Sequence, residues 1–244
     1  MASALIRAGN LEVTLACDAD DVGRAQRLRY RVFAEELGAA IGSADGLDRD
    51  IFDPYCQHLI ARDLDTGEVV GTYRLLSAEQ AGRVGCLYSD GEFWLTRLDS
   101  LRTRMVELGR SCVHPAYRKG PVIMLLWSGL GTLLAGSAHR YLIGCVSVPI
   151  TDGGHYAASL YRRLADQHLT DETLRVWRRL DLDRLDHHLD VLPPPLVKGY
   201  LRAGAKLLGE PHLDTEFGCA DFPMMLDLAG LHDRYQRRFT VAGA

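Results

Sequence analysis

Apolar and polar positions along the chain change period several times, and each change marks an element. LEVTLAC at 11–17 alternates and reads as a strand, and Asp18 or Asp20 can cap the helix that follows. That helix is expected over 22–37, with Leu28, Val32 and Phe33 on one stripe. An Asp-rich loop, GSADGLDRDIFDPY, separates it from HLIARDL and VVGTYRLL, two β-rich runs around a DTGE turn that predict a hairpin. Residues 78–104 predict a short helix and an irregular strand through Phe93 and Trp94. MVELGRSCV is the next strand, then a helix from Pro121 to about His139, the strand YLIGCVSV ended by Pro149, and a helix over 154–167. LPPP at 192–195 marks a break. After it come a helix at 196–208, a strand near ADFPMMLDL and a terminal helix through Arg238. A hairpin followed by alternating strands and helices gives a mixed α/β sheet, not a doubly wound one. The expected organisation is a core over 1–190 and a C-terminal extension over 191–244 packed on it.

The 244 residues are 47% hydrophobic and 25% charged, with a net charge of −4, which fits a globular protein with a full core and argues against bulk nucleic-acid binding. MASALIRAGN is too short and too weakly apolar to read as a secretory leader. The uncharged run from Pro121 to Ala138 touches the lower length limit of a membrane span, but its three glycines and its place between strands fit a buried helix. The six cysteines are scattered with no CxxC, so neither a disulfide framework nor a zinc site is expected. Asp186, His187, His188 and Asp190 sit in a run of charges and read as a solvated face; no metal is expected. Nothing near Cys112 in sequence would lower its pKa, so it reads as a small hydrophobe.

The chemistry rests on charges inside apolar elements. Arg29 and Phe33 are one helical turn apart, Asp50 and Asp53 lie in the loop beyond, Arg74 is inside VVGTYRLL, and Glu107 and Arg110 are inside MVELGRSCV. Three guanidiniums and three carboxylates that converge suit a zwitterionic amino acid: Arg clamps a carboxylate, Asp or Glu receives an ammonium. A structural ion-pair network is the competing reading. On a regular strand Glu107 and Arg110 face opposite ways, so a bulge is expected around Leu108–Arg110, next to Gly109; otherwise one charge faces the cleft and the other braces the opposite face.

This ordered set, with Cys112, Val113 and Pro115, resembles the acyl-homoserine-lactone synthases, which have the GNAT acyltransferase fold. LVKGYLRAGAKLLGEPHLDTEFGCADFPMMLDLAGLHDRYQRRF is similar to the C-terminal part of the ornithine Nα-acyltransferases. The resemblance implies a GNAT-like α/β fold and transfer of a (3-hydroxy)acyl chain from acyl carrier protein to the α-amine of ornithine, giving lyso-ornithine lipid. It implies no bound cofactor, since the acyl-phosphopantetheine of the carrier is a substrate. Glu107 would accept the amine proton, backbone N–H groups near the bulge would hold the oxyanion, and Tyr161 would protonate the leaving thiolate; a packed aromatic is the alternative for Tyr161. Arg29, Arg74 and Arg110 would compete for the substrate carboxylate beside Phe33, with Asp50 or Asp53 on the side-chain ammonium. Val113, Arg118, Lys119 and Gly120, before a helix N-terminus, would hold the phosphopantetheine, although Arg118-Lys119-Gly120-Pro121-Val122 departs from the usual GNAT phosphate loop.

Alternatives are a sibling enzyme acting on glycine, tyrosine, lysine or S-adenosylmethionine, and a non-catalytic acyl binder on the same fold. The expected location is cytoplasmic. Lys198, Arg202 and Lys206, four residues apart, predict a basic helix stripe toward acidic carrier protein or an anionic membrane surface at the inner leaflet.

Overall fold

A computed structural model describes residues 4–231, and the expected helix through Arg238 lies outside them. The chain forms two compact units. The described part of the first comprises residues 4–84 and 108–138; that of the second comprises 85–107 and 139–231.

In the first unit, β1 (Ile6–Ala8), β2 (Leu11–Leu15), β3 (Gln57–Asp63) and β4 (Val69–Ser77) pair in that order, all antiparallel. β5 (Met105–Val113) divides between the units after Glu107, and its later part lies beside β4. The β1 hairpin was not legible in the sequence, because IRA has no alternation; Gly9, at φ 59, makes its tight turn.

The central strands β3 and β4 are covered on both faces. α1 (Ala19–Tyr30) starts at Asp18, whose carboxylate accepts from the Asp21 N–H at 2.9 Å, and it continues as a π-helical turn over Arg31–Glu36. Ala25, Leu28 and Val32 pack with Ile60, Val69 and Cys112, and the partly buried Phe33 lies against that cluster. α3 (Val122–Leu134) covers the opposite face. Its contact needs glycine on both sides: a Cβ on Gly71 would lie 2.6 Å from Val122 Cγ1, and one on Gly129 would lie 2.6 Å from Val13 Cγ1. Covering both faces is why HLIA and VVGT read as continuous apolar runs. α3 ends five residues before the expected His139, at Leu134, where Ala135 leaves helical geometry and Gly136 turns at φ 74. α2 (Ala78–Val84) is the short helix expected after the hairpin.

In the second unit, the first part of β5 pairs in parallel with β6 (Tyr141–Pro149) from Met105↔Tyr141 to Glu107↔Ile143. β6 pairs along its whole length with antiparallel β9 (Cys219–Asp227), so the stretch after LPPP supplies a strand to this sheet. β7 (Lys206–Leu207) and β8 (His212–Asp214) share the other edge of β9. Pro223 is tolerated inside β9 because its carbonyl, and hence its nitrogen, faces the break between β7 and β8, where Leu208 N donates to it at 2.8 Å. α4 (His155–His168) matches the expected helix.

Two expectations fail here. Phe93 and Trp94 form no strand; Trp94 makes one isolated bridge with Trp177. α5 (Pro195–Ala203) ends at Gly204, φ 103, so Lys206 lies in β7 and the three-residue basic stripe is not a single helix face.

Candidate active site

The loop 48–53 folds around its own carboxylates. Asp50 Oδ1 accepts from the N–H of Phe52 at 2.9 Å and of Asp53 at 3.2 Å, and the Asp50 N–H donates to Asp53 Oδ2 at 3.2 Å. Arg29, wholly buried on α1, drives four hydrogen bonds into this loop: Nε to Asp48 Oδ2 (2.8 Å), Nη1 to Asp53 Oδ1 (2.9 Å), and Nη2 to Asp53 Oδ2 (2.8 Å) and to the Asp48 carbonyl (2.5 Å). Arg74, opposite His58 on β3, donates to Asp50 at 2.6 Å and to Asp53 at 3.2 Å. Arg110 lies 3.2 Å from Asp48 and 3.4 Å from Asp50. Three guanidiniums thus meet three aspartates, and their formal charges cancel. Asp48, His58 and Gln26, whose Nε2 donates to Asp53 at 3.3 Å, belong to the set although the sequence reading did not single them out. Asp48 lies in the same Asp-rich loop as Asp50 and was the one legible omission.

Burial alone would raise the Asp53 carboxyl. The hydrogen bonds and charge of Arg29, with the charge of Arg74, outweigh it and hold Asp53 far below the usual carboxylate range. Burial depresses the His58 imidazole, which stays neutral with Nε2 against the Asp53 carbonyl at 3.3 Å.

Exposure separates the roles. Arg29 reaches no solvent and positions Asp48 and Asp53, a correction to its expected place on the substrate carboxylate. The side chains of Asp50 (20%) and Arg110 (12%) form the open edge of the network. Arg110 is also the sole non-glycine with positive φ, 49°, among the described residues. The backbone irregularity expected near Leu108–Arg110 therefore sits on Arg110, not on Gly109. That conformation costs about 1–3 kcal/mol for a residue with a Cβ and persists where its surroundings over-determine it.

Glu107, 5% exposed, is held by a second set. Its Oε2 accepts from Tyr88 N at 2.6 Å, and its Oε1 accepts from Ser89 N at 2.8 Å and Ser89 Oγ at 2.5 Å. Ser89 Oγ also lies 3.9 Å from Cys145 Sγ, which donates to Glu92 Oε2 at 3.3 Å. Asp221 on β9 is the next carboxyl along. Burial first, then the charge of Asp221, pushes the Glu92 carboxyl up to about 8. The sequence reading missed Ser89, Glu92 and Asp221; the signal was an acid between apolar residues in GEFW and in CADFP. Cys145 and Cys112 are poor nucleophiles: burial raises the Cys145 thiol well above its ordinary value and that of Cys112 to about 12.

The same geometry gives a pH dependence. Because the folded Glu92 keeps its proton from the usual carboxylate range up to about 8 while the unfolded chain has lost it, stability falls as pH rises through that window. Urea unfolding free energies are expected to fall by on the order of 3–4 kcal/mol between about pH 5 and pH 8. Glu92→Gln should flatten that slope; parallel slopes in the variant and the natural chain would contradict it.

A model of the acetyltransferase (GNAT) domain matches residues 28–128, a span that contains Arg29, Asp50, Asp53, Arg74, Glu107 and Arg110. A Rhodobacter capsulatus protein named L-ornithine N(alpha)-acyltransferase is 36% identical over 249 residues, 94% of this chain and 94% of its own. Proteins of the same name from Brucella abortus and Rhizobium meliloti are 35% and 33% identical over 94% of this chain and 88% and 84% of their own.

The chain belongs to the L-ornithine N(alpha)-acyltransferase family.

Its fold is also that of the acyl-homoserine-lactone synthase LasI, at a TM-score of 0.57 and 15% identity over 95% of each chain. FeeM, an N-acyl amino acid synthase from uncultured soil microbes, superposes at 0.56 and 11% identity over 90% of this chain and 91% of its own. The protein is therefore a GNAT-type acyltransferase with a mixed α/β sheet.

In this acyltransferase the remaining expected site residues are placed as follows. Tyr161, on α4, is buried edge-on against Phe222 with ring centroids 6.4 Å apart, and burial raises its phenol. Arg118 is already engaged: its two Nη atoms meet the Glu36 carboxylate at 2.6 Å each, and Nε donates to the Val113 carbonyl at 3.1 Å. The Gly120 N–H is spent on Tyr117 O at 3.0 Å, so it does not face a phosphate. Lys119 is exposed just before Pro121, the N-cap of α3. Among the described residues, Asp214, Cys219 and Asp221 bring one ligand atom each within 4.8 Å of one another, as do Cys17, Asp18 and Asp21. In each group the thiol approaches a neighbouring carboxylate, Cys219 to Asp221 at 3.6 Å and Cys17 to Asp21 at 3.5 Å. No helix among the described residues is long and apolar enough to cross a membrane.

Proposed function

We propose that this acyltransferase moves a 3-hydroxyacyl chain from acyl carrier protein to the α-amine of ornithine, giving lyso-ornithine lipid. What carries the reading is the name of its relatives, matched along nearly the whole chain. The charge set is consistent with it: an amino acid that carries a carboxylate and a second ammonium needs one cation and one anion at an accessible edge, and Arg110 and Asp50 supply them.

In this reading Glu107 takes a proton from the α-ammonium, and the freed amine attacks the thioester carbonyl. The oxyanion is held by backbone N–H groups near Arg110, the attacking nitrogen gives up its second proton to water, the C–S bond breaks, and the carrier thiolate takes a proton from Tyr161 or water. Arg74 and Arg29 keep Asp50, Asp53 and Asp48 in register, while Arg110 grips the carboxylate. Lys119 and the first free N–H groups of α3 face the phosphopantetheine phosphate. The acyl group arrives on the carrier's own prosthetic arm, so the reaction needs no resident cofactor.

The test is thiol release from 3-hydroxyacyl carrier protein with each amino acid in turn, followed by mass spectrometry. The expected result is release with ornithine and an Nα-acyl product. Turnover with glycine, tyrosine or lysine, or a lactone from S-adenosylmethionine, would reassign the acceptor. No release with any acceptor would overturn the catalytic reading in favour of an acyl binder.

A further inference from the structure

Two of the three tryptophans are displayed on the surface of the second unit: Trp94 is 65% exposed and Trp177 47%. The display is built into the backbone. Trp94 N donates to Trp177 O at 3.1 Å in an isolated antiparallel bridge, and residues opposed across such a bridge project to the same side. Each is anchored by buried neighbours, Phe93 and Leu95 on one segment and Val176 on the other, so the outward indoles are fixed rather than frayed. The Arg97 guanidinium stacks on the Trp177 ring, 4.2 Å from its centroid, and also donates to the Glu172 carbonyl. Arg178 and Arg179 are exposed beside Trp177. The segments 94–97 and 171–180 carry Arg97, Arg175, Arg178 and Arg179 against Asp171 and Glu172, a local positive excess on a chain whose net charge is −4.

We propose that the face carrying Trp94, Trp177 and Arg97 seats in the headgroup layer of an anionic bilayer. The chemistry is specific to that layer. An indole has an apolar body and one N–H donor, and it is satisfied where acyl chains meet headgroups. A guanidinium beside it takes a lipid phosphate through two parallel hydrogen bonds. The overall negative charge repels an anionic surface, so the local excess also fixes which face approaches. With no crossing helix among the described residues, this contact is peripheral. The inference stands apart from the choice of donor and acceptor.

The protein supplies its own probe, because the third tryptophan, Trp127, is 8% exposed within α3. Phosphatidylcholine–phosphatidylglycerol vesicles with brominated acyl chains should quench the Trp127→Phe variant, whose emission comes from Trp94 and Trp177 alone. They should leave the Trp94→Phe/Trp177→Phe variant unquenched. Arg97→Gln/Arg179→Gln should weaken sedimentation of the full chain with these vesicles about 30-fold, and vesicles of phosphatidylcholine alone should bind weakly. If Trp127→Phe does not fold, the natural chain and the Trp94→Phe/Trp177→Phe variant give the same comparison. Equal quenching of the two, or none in either, would overturn the proposal. So would a change in Trp94 and Trp177 emission on adding acidic carrier protein when vesicles cause none, which would make this a protein-docking face.

Discussion

Replacing Arg29 with Met is expected to destabilise the protein by about 3–5 kcal/mol, the usual penalty for removing one partner of a buried ion pair. The size follows from what is left behind. Met fills the space, but Asp48 and Asp53 are then buried with one guanidinium fewer, and the Asp48 carbonyl loses its donor. For a chain of this length the melting temperature should fall by roughly 6–20 °C. Adding Asp53→Asn should recover part of the loss, because it removes a charge that has lost its main partner; no recovery would mean Arg29 acts through packing alone.

The pH dependence has a definite sign. The Asp53 carboxyl is depressed in the folded state, so its contribution is fully present above the ordinary carboxylate value of 3.8 and is lost as pH falls through the folded value. In the Arg29→Met variant Asp53 keeps only Arg74 and Gln26 as side-chain donors, so burial weighs more and protonation relieves more of its cost. The gap between the two proteins should therefore narrow as pH drops below about 4. Urea titrations across that range read it, and a constant gap would refute the assignment.

The second large effect is kinetic. Glu107→Gln is expected to lower kcat by about 10²–10⁴-fold, the range for losing a general base, with KM for ornithine changed only a few-fold. The acidic limb of the pH–rate profile should disappear with it. The Gln amide group would also confront one of the three donors from Tyr88 and Ser89, so some stability is lost as well. Ser89→Ala separates the two effects, since it removes the hydroxyl donor and keeps the carboxylate; a modest kcat loss with the acidic limb retained is expected. Should Glu107→Gln keep more than about a tenth of its kcat, Glu107 is an anchor for the turn at 88–89. Glu92, pushed up to about 8, then becomes the carboxyl to test as base.

Much of this was legible in the sequence for a physical reason. A charge inside an apolar run must be partnered, so Arg74, Glu107 and Arg110 announced a site before any fold was known. The β3–β4 hairpin, β6, α4 and β9 follow directly from period and turn chemistry. The partner sets were less readable. Three residues along β5, Glu107 and Arg110 are held by different groups, and only the backbone turn at Arg110 and the Ser89 hydroxyl reveal which. Arg29 looked like a substrate ligand because helical spacing gives a face but not a depth. Lys206 looked helical because its fourfold spacing runs on through Gly204, where the helix stops. Phe93 and Trp94 looked like a strand because aromatic residues favour sheets; their alternating burial is made instead by a single bridge.

The full-length pairing of β6 with β9 has a consequence for synthesis. The two strands are separated by about seventy residues of chain, so β6 leaves the ribosome long before its neighbour exists. At roughly 5–20 residues per second, its apolar edge stays open for several seconds while the first unit's antiparallel hairpins already have all their strands. An open edge of that length invites pairing with another nascent chain. Yield in the cell should therefore depend on how fast residues 150–219 are translated, and a shortened tail that ends before Cys219 would leave a sheet with no native way to close.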